Sequence, residues 1–438
     1  MVPSRNPWLG QLPRSWREAH LRRYTRLLTG GTPDKNRLEF WEDGSVPWLA
    51  SGEVNKKRIT AADAFITEVG LRSSSARWLP PGSVVMALAG QGKTKATVAT
   101  LEFPATCNQS LAAMVPDETH LHYRYLFYYL DSQYANVRGL VGDLRDGLSL
   151  THLAGIWVPL PALPTQKAIG DYLDEKTAAI DALIEKKRKL LDLLAEERAA
   201  LINHAVTKGL DPTVPMKDSG IPWIGEVPAH WEVRRLKTLL TFTTSGSRGW
   251  ADYYSDDDGA PIFLQSGNLG KHLDLDLATT QRVNPPRGSE GERTLIETGD
   301  VLVCITGART GAVALVDAPL PVAAYINQHV ALLRLNQKLA ASLFVALALS
   351  SDLGSTHFQM VQYGGTKQGL GLDDVRNVWI ATPPSSEQQS ISRIVDENLK
   401  QCRAAAGKIQ SQIDRLQEYR QALITAAVTG QLDIEAAA

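Results

Sequence analysis

The sequence predicts an α+β fold in which two similar globular domains alternate with two long helices, with pseudo-twofold symmetry between the halves. The segment 164–211 recurs at 386–433 with a constant offset of 222, and both copies carry apolar residues at three- and four-residue steps. The segments before each copy also recur, beginning with PWLG at 7–10 and PWIG at 222–225. A chain of 438 residues is long enough for two such domains.

The repeat divides the chain into five segments. They are a first globular domain at 1–163, a helical spacer at 164–211, a linker at 212–220, a second globular domain at 221–385 and a second spacer at 386–433. The linker holds two prolines and a glycine, which is typical of a segment between domains.

Each spacer is predicted to form a helix of about forty residues, roughly 60 Å long at ~1.5 Å per residue. The apolar residues of both copies fall close to a heptad seam. The predicted seam residues are Leu173, Ile180, Leu183, Leu190, Leu194 and Leu201 in the first copy, and Ile391, Ile394, Cys402, Ile409, Ile413, Leu416 and Leu423 in the second. Since a helix of this length must bury its apolar face, the other copy is its expected partner.

Within the globular halves, short apolar runs are joined by Gly-rich loops that recur. TGGT at 29–32 aligns with TSGS at 244–247, and a Gly-basic loop at 90–94 aligns with one at 307–311. An Asn-Gln pair at 108–109 recurs at 327–328, each before an apolar strand. A helical stretch follows in each half, around 122–133 and 339–350. The two halves are therefore expected to share one fold.

Composition excludes several classes of protein. Three cysteines, without CxxC spacing, exclude a disulfide framework and a zinc site and indicate a reducing, cytoplasmic setting. No apolar run is long enough to suggest a signal sequence or a membrane span. The net charge is −1, but residues 1–60 hold eleven Lys and Arg against six Asp and Glu. These extra positive charges could bind along the phosphate backbone of a nucleic acid, or they could belong to an ordinary solvated surface.

Two apparent catalytic motifs fail on inspection. GQGKT at 90–94 resembles the end of a phosphate-binding loop, but that pattern needs glycine at the position of Ala87. NPPR at 284–287 resembles the tetrapeptide of adenine methyltransferases, with arginine in place of the aromatic residue. No Ser/His/Asp set and no HExxH pattern occurs, so the sequence predicts neither a catalytic nor a metal site.

The polar residues on or beside the recurring loops are of the types that contact base edges. The candidate DNA-binding residues are Lys35, Gln91, Lys93, Asn108, Arg248, Gln265, Arg309, Thr310 and Lys367. Matching loop positions with different side chains are what a shared scaffold would need to recognise two different sequences.

Over essentially its whole length the chain resembles the specificity subunit of type I restriction–modification systems. The segments that carry the resemblance are KDSGIPWIGEVPAHWE at 217–232, EQQ at 387–389 with Ile391, and the helical ends at 201–210 and 423–432. The first domain departs from this pattern, with Gln11 at the position of Glu226 and Ser15 at that of His230.

The resemblance implies that two target-recognition domains each bind one half of an asymmetric, bipartite site on double-stranded DNA. It implies that the long helices pack as an antiparallel coiled coil, set the spacing of the half-sites and dock the methyltransferase subunits. The expected partners are two modification subunits, which use S-adenosylmethionine, and two restriction subunits, which use ATP and Mg²⁺; no cofactor is expected in this chain. Two alternatives remain open at this point: a self-contained DNA adenine methyltransferase with its own recognition domain, and a duplicated peptide-binding scaffold.

Overall fold

The structure is a computed structural model that describes residues 1–90, 92–141, 146–270, 272–286, 288–362 and 369–434. These form two compact units: Met1–Arg188 with Gln410–Ala438, and Lys189–Ile409. Each unit thus combines one globular domain with part of both long helices. Within the described residues, no helix is both long enough and apolar enough to cross a membrane.

The first globular domain is built around a five-stranded sheet of order β4-β11-β8-β9-β6 and a three-stranded sheet of order β10-β5-β7. Its strands are β1 Val2–Pro3, β2 Gln11–Leu12, β3 Arg17–His20, β4 Thr25–Thr29, β5 Val46–Leu49, β6 Arg58–Ile59, β7 Ala64–Ile66, β8 Ser83–Ala87, β9 Val98–Leu101, β10 Thr106–Cys107, β11 Leu111–Pro116 and β12 Trp157–Leu160. Its short helices are α1 Glu68–Arg72, α2 Tyr123–Ser132, α3 Tyr134–Arg138 and α4 Leu150–Ala154. Alternating apolar residues of β8, β9 and β11 form a core with no exposed side chain.

The second globular domain has two four-stranded sheets, of order β16-β23-β20-β21 and β17-β19-β18-β22. Its strands are β13 Met216–Asp218, β14 Glu226–Pro228, β15 Glu232–Arg235, β16 Leu240–Ser245, β17 Tyr254–Ser255, β18 Ile262–Leu264, β19 Gln281–Val283, β20 Val301–Cys304, β21 Val313–Leu315, β22 Ala324–Ile326, β23 Val330–Leu335 and β24 Trp379–Thr382. Its helices are α6 Ser289–Thr294, α7 Ser342–Ser350, α8 Asp352–Val361 and α9 Leu372–Arg376.

The expectation of one shared fold is confirmed by the strand pairing. The antiparallel ladder β4-β11-β8-β9 has its counterpart in β16-β23-β20-β21. The parallel pair of β5 and β10 matches that of β18 and β22, and the antiparallel pair of β3 and β12 matches that of β15 and β24. The predicted helical stretches correspond to α2 and α7.

The alignment of the first Gly-rich loop is wrong by one residue. The sequence places Gly31 opposite Gly246, whereas the structure places Gly30 there. A Cβ on Gly30 would lie 1.7 Å from the carbonyl oxygen of Cys107, and one on Gly246 would lie 2.1 Å from that of Ile326. At both positions the backbone at the end of a neighbouring strand comes so close to the glycine that no side chain larger than a hydrogen atom fits. Short polar loops gave the sequence alignment too little information to fix this register.

The two long helices are α5, Leu163–Thr207, and α10, Ser385–Val428, with 45 and 44 residues. Both end earlier than the predicted spacers, because a glycine with positive φ follows each helix: Gly209 at +77° and Gly430 at +68°. Glycine in this conformation is a common helix stop.

The predicted seam of the first helix is partly wrong. Leu183 and Leu190 are 42% and 45% exposed, while Ile184 is 5% exposed. Along the part of α5 that reaches from Leu173 to Ile184, the buried face runs through Leu173, Thr177, Ile180 and Ile184, at alternating steps of four and three residues. These positions keep a seven-residue repeat, and the predicted seam left the buried face where it stepped three residues from Ile180, to Leu183, instead of four, to Ile184.

The helices run antiparallel within the first unit, as the resemblance implied. Arg420 of α10 forms an ion pair with Asp181 of α5 at 2.9 Å. Six residues further along α5, the Lys187 amine donates to the Gln412 side chain at 2.6 Å. As the residue number rises along one helix, it falls along the other.

Candidate nucleic-acid interface

Four strands of the first domain end at one edge, and the loops that follow them lie together. Strands β4 and β8 both pair antiparallel with β11, so they point the same way. The N–H of Gly31 donates to the carbonyl of Cys107 at 2.9 Å, which brings the end of β4 to the end of β10. The N–H of Asn108 donates to the carbonyl of Leu49 at 3.0 Å and adds the end of β5. We call residues 30–36, 50–52, 88–90, 92–96 and 108–110 the first loop edge.

The second domain repeats this arrangement. An isolated parallel bridge joins Ser247 to Asn327, and the N–H of Asn327 donates to the carbonyl of Leu264 at 3.0 Å. The N–H of Ile305 donates to the carbonyl of His329 at 2.9 Å and brings in the end of β20. We call residues 246–249, 265–267, 305–311 and 327–329 the second loop edge.

Seven of the nine candidate residues are described, and all seven lie on these two edges; Gln91 and Lys367 lie outside the described residues. Lys35 and Lys93 are exposed on the first edge, and Arg248 is exposed on the second. Loops that are far apart in sequence therefore form one polar surface in each domain.

The backbone of the loop that carries Lys93 is fixed by hydrogen bonds from α3. Arg138 of α3 donates to the carbonyls of Lys95 and Gly92 at 3.0 and 2.8 Å. The hydroxyl of Tyr134 donates to the carbonyl of Lys93 at 3.0 Å. The Lys95 side chain is buried, and its amine donates to the carbonyl of Asp146 at 2.6 Å. The backbone of the loop is thus fixed while the Lys93 side chain remains in solvent.

Three candidate residues of the second loop edge form hydrogen bonds with this edge or with residues beside it. The half-buried guanidinium of Arg309 donates to the carbonyl of Gly267 at 2.8 Å, and the hydroxyl of Thr310 donates to that of Gly307 at 2.7 Å. The Gln265 amide donates to the hydroxyl of Tyr254 at 3.3 Å. Arg309 has further N–H groups beyond this one bond, because a guanidinium carries five.

The recurring Asn-Gln pairs divide into a structural residue and an outward one. The side-chain oxygen of Asn108 accepts from the N–H of Ser110 at 3.1 Å, and that of Asn327 accepts from His329 at 3.0 Å. This is the bond of an Asx turn, which shapes the backbone. Gln109, the next residue, is exposed at the tip of its turn. Sequence analysis named Asn108 as a candidate and did not name Gln109, although the repeated pair marked both.

Each of the two apparent catalytic motifs comes after a β-strand. The loop at 90–94 joins β8 to β9, two antiparallel strands, whereas a phosphate-binding loop leads from a strand into a helix. Asn284–Pro286 follows the short strand β19, and Arg287 lies outside the described residues.

Burial raises the pKa of the Cys107 thiol to about 12 and raises that of Cys304, so these thiols beside the loop edges stay protonated. No group of three metal-ligating side chains occurs among the residues that the structure describes.

Much of the positive charge of residues 1–60 lies away from the loop edge. Arg5, Arg17, Arg22 and Arg23 line a pocket of about 600 Å³ beside β3. Arg22 and Arg23 lie just before the start of β4, whereas the loop edge follows its other end. Lys56 and Lys57 form ion pairs with Asp63 and Asp131.

The segments that carry the family resemblance support the scaffold. The buried indole of Trp231 donates to the Glu387 carboxylate at 3.0 Å, and His230 contacts the same carboxylate at 2.8 Å. In this unit Gly209, after the end of α5, packs against Trp231, just as Gly430 packs against Trp16 in the other unit.

A buried glutamine near the start of each long helix fastens that helix to its domain. The Gln388 amide donates to the carbonyls of Leu339 and Pro383 at 3.1 and 2.9 Å, and its oxygen accepts from the N–H of Ala341 at 2.8 Å. Gln166 makes the same three bonds in the first unit, to His120, Pro161 and His122.

Comparison with known proteins identifies this architecture. The family described as type I restriction modification DNA specificity domain matches residues 21–192 and 283–415, which is more than half of the chain. The chain belongs to this family. Membership assigns it to DNA recognition and not to catalysis, and the self-contained methyltransferase alternative finds no support.

Relatives of this DNA specificity family span nearly the whole chain. The MjaIX specificity subunit of Methanocaldococcus jannaschii is 22% identical and aligns over 98% of this chain and 96% of its own length. The EcoR124I/EcoR124II specificity subunit of Escherichia coli is 26% identical, but over only 37% of this chain and 41% of its own length.

Solved structures show the same fold. A chain from a study of complex assembly and conformational transition in the type I restriction–modification system has a TM-score of 0.69 at 18% identity, over 96% of this chain and 100% of that one. The HsdS subunit from Thermoanaerobacter tengcongensis has a TM-score of 0.53 at 16% identity, over 96% and 98%.

Proposed function

We propose that each loop edge contacts one half of an asymmetric, bipartite site on double-stranded DNA. One observation carries this proposal: the two domains share the same arrangement of strands and loops, but the polar side chains on those loops differ. In both domains the loops after four equivalent strands form one edge, yet Lys93 on the first edge and Arg309 on the second differ in their side chains and in their anchoring. Arginine and lysine can bind guanine or phosphate, so the two edges would recognise different sequences.

The long helices would set the distance between the half-sites and dock two modification subunits. Exposed Leu190 and Leu193 of α5 support the docking role, at 45% and 59% exposure, because apolar side chains on a solvated helix are suited to an interface. Two restriction subunits would complete the complex in the cytoplasm. The modification subunits would supply S-adenosylmethionine chemistry and the restriction subunits ATP- and Mg²⁺-dependent chemistry, with no cofactor in this chain.

Methylation sequencing tests the proposal. The chain is expressed with a modification subunit in a host that lacks other methyltransferases, and methylated positions are mapped across the genome. A single bipartite sequence that disappears when the chain is omitted is expected. Methyl transfer from labelled S-adenosylmethionine by the purified chain alone would contradict the assignment, as would methylation whose sequence did not depend on the chain.

A further inference from the structure

The equivalence of Gly30 and Gly246 places Thr32 and Arg248 at matching positions, two residues beyond each glycine. Each lies on the same loop edge as the glutamine of an Asn-Gln pair, which is the exposed Gln109 in the first domain and the half-buried Gln328 in the second. The two domains therefore share a glutamine at this place, but the residue beside it is Thr32 in the first domain and Arg248 in the second.

Gln109 occupies the tip of a four-residue turn. The N–H of Leu111 donates to the carbonyl of Asn108 at 3.3 Å, and the Asx bond of Asn108 stiffens the same turn. The Gln328 turn is built alike, with the N–H of Val330 donating to the carbonyl of Asn327 at 3.1 Å. A residue at the second position of such a turn projects away from the sheet, toward whatever the edge contacts.

In the first domain the glutamine is also oriented. The Thr32 hydroxyl donates to the side-chain oxygen of Gln109 at 2.6 Å. In this arrangement the amide oxygen faces Thr32 and the NH₂ group faces away from it. One lone pair of the oxygen and both amide protons remain available, since an amide oxygen accepts two bonds. Holding the side chain in place before binding also lowers the entropy cost of the contact.

We propose that Gln109, oriented by Thr32, recognises one adenine in the half-site of the first domain. This inference rests on the proposed function. The remaining amide groups form an adjacent donor and acceptor. In the major groove, adenine offers the matching acceptor N7 beside the donor N6, whereas guanine offers two acceptors and would face the amide oxygen with its own O6. Cytosine offers a donor with no adjacent acceptor, and thymine offers O4 beside a methyl group.

In the second domain the same position is built differently. The Gln328 amide nitrogen lies 3.2 Å from a ring nitrogen of His329, and Arg248 occupies the place of Thr32. The second edge therefore carries a positive charge where the first carries a hydroxyl. Recognition at this pair of positions should differ between the half-sites, and Gln328 serves as an internal reference.

The test uses the complex assembled with the modification subunit and compares Gln109→Ala, Thr32→Val and Gln328→Ala by methylation sequencing. Gln11→Ala is the matched control, since Gln11 is an exposed glutamine of the same domain outside the loop edge. Gln109→Ala is expected to make one adenine position of one half-site degenerate, with a loss of discrimination of roughly 5- to 150-fold. Thr32→Val should weaken the same position, and Gln328→Ala should affect only the other half-site. Unfolding midpoints should match the parent chain.

Three outcomes would overturn the inference. An unchanged methylated sequence with Gln109→Ala would remove Gln109 from recognition, and relaxation at a base other than adenine would refute the assignment of the base. A uniform loss of binding to all sequences would identify a phosphate contact instead. Failure of the proposed function would look different, because the parent complex itself would then show no sequence that depends on this chain.

Discussion

The guanidinium of Arg420 near the end of the second long helix binds the Asp181 carboxylate of the first through two bonds, at 2.9 and 3.3 Å. It also lies 3.8 Å from Asp131, a buried residue that the Lys57 amine contacts at 2.6 Å. One arginine thus connects both helices to the globular domain. The second unit does not repeat the pair, since Arg403 stands at the position of Asp181. Burial and the nearby Arg403 lower the pKa of Arg198, the counterpart of Arg420.

Replacing Arg420 with alanine should lower the free energy of unfolding by roughly 1–3 kcal/mol, because Asp181 loses a charged donor and Asp131 loses a nearby positive charge. Arg415→Ala, at an exposed site on the same helix, should change it by about 0.5 kcal/mol or less. Thermal unfolding of Arg420→Ala, Asp181→Asn and the double variant measures the coupling. Strictly additive losses would mean that the ion pair does not join the two helices energetically.

Gln388→Ala should destabilise the second unit by roughly 1–3 kcal/mol, because two carbonyls and one N–H lose their buried partner. Gln388→Met, which fills similar volume without hydrogen bonds, separates lost bonding from a lost side chain. Exposed Gln389→Ala is the neighbouring control and should be nearly neutral. Denaturant unfolding gives each value, and equal stability of the Ala variant and the parent would refute a fastening role.

Lys93→Ala and Arg309→Ala should have different effects on DNA binding. Removing Lys93 from its rigid, exposed position should weaken binding to all sequences and reduce the dependence of affinity on salt, if the amine contacts phosphate. Loss of Arg309 should cost roughly 1–3 kcal/mol and relax one position of the half-site. Binding of the assembled complex at several salt concentrations, with methylation sequencing, distinguishes these effects. If neither variant changed binding or methylation, the loop edges would not be the DNA contacts.

Four residues inserted next to Arg188 should lengthen the first long helix by about 6 Å, close to two base pairs of ~3.4 Å each. We expect the number of unspecified bases between the half-sites to change while both half-site sequences persist. Four alanines substituted for existing residues at the same place, without a change of length, provide the control. An unchanged gap in a fully active complex would show that the helices do not set the spacing.

The sequence by itself determined the duplication, the mixed fold and both long helices, because repeat offsets and 3.6-residue periodicity are local properties of the chain. It also singled out polar positions on the loops, since glycine-flanked basic residues mark turns. The residues of the PWIGEVPAHWE segment and EQQ were recognisable as a set, although nothing local revealed that Trp231 and Glu387 bond to each other across 156 positions.

Only the tertiary structure decided which face of each element is buried and which residue of a pair points outward. Leu183 and Ile184 are equally apolar in sequence, but Ile184 is buried and Leu183 is exposed. Asn108 and Gln109 are both polar, but the backbone of the turn uses the Asn108 oxygen and leaves Gln109 exposed. The one-residue register of Gly30 was likewise set by the approach of a strand end from 77 residues away, at Cys107. Such contacts join distant parts of the chain, so no local pattern could specify them.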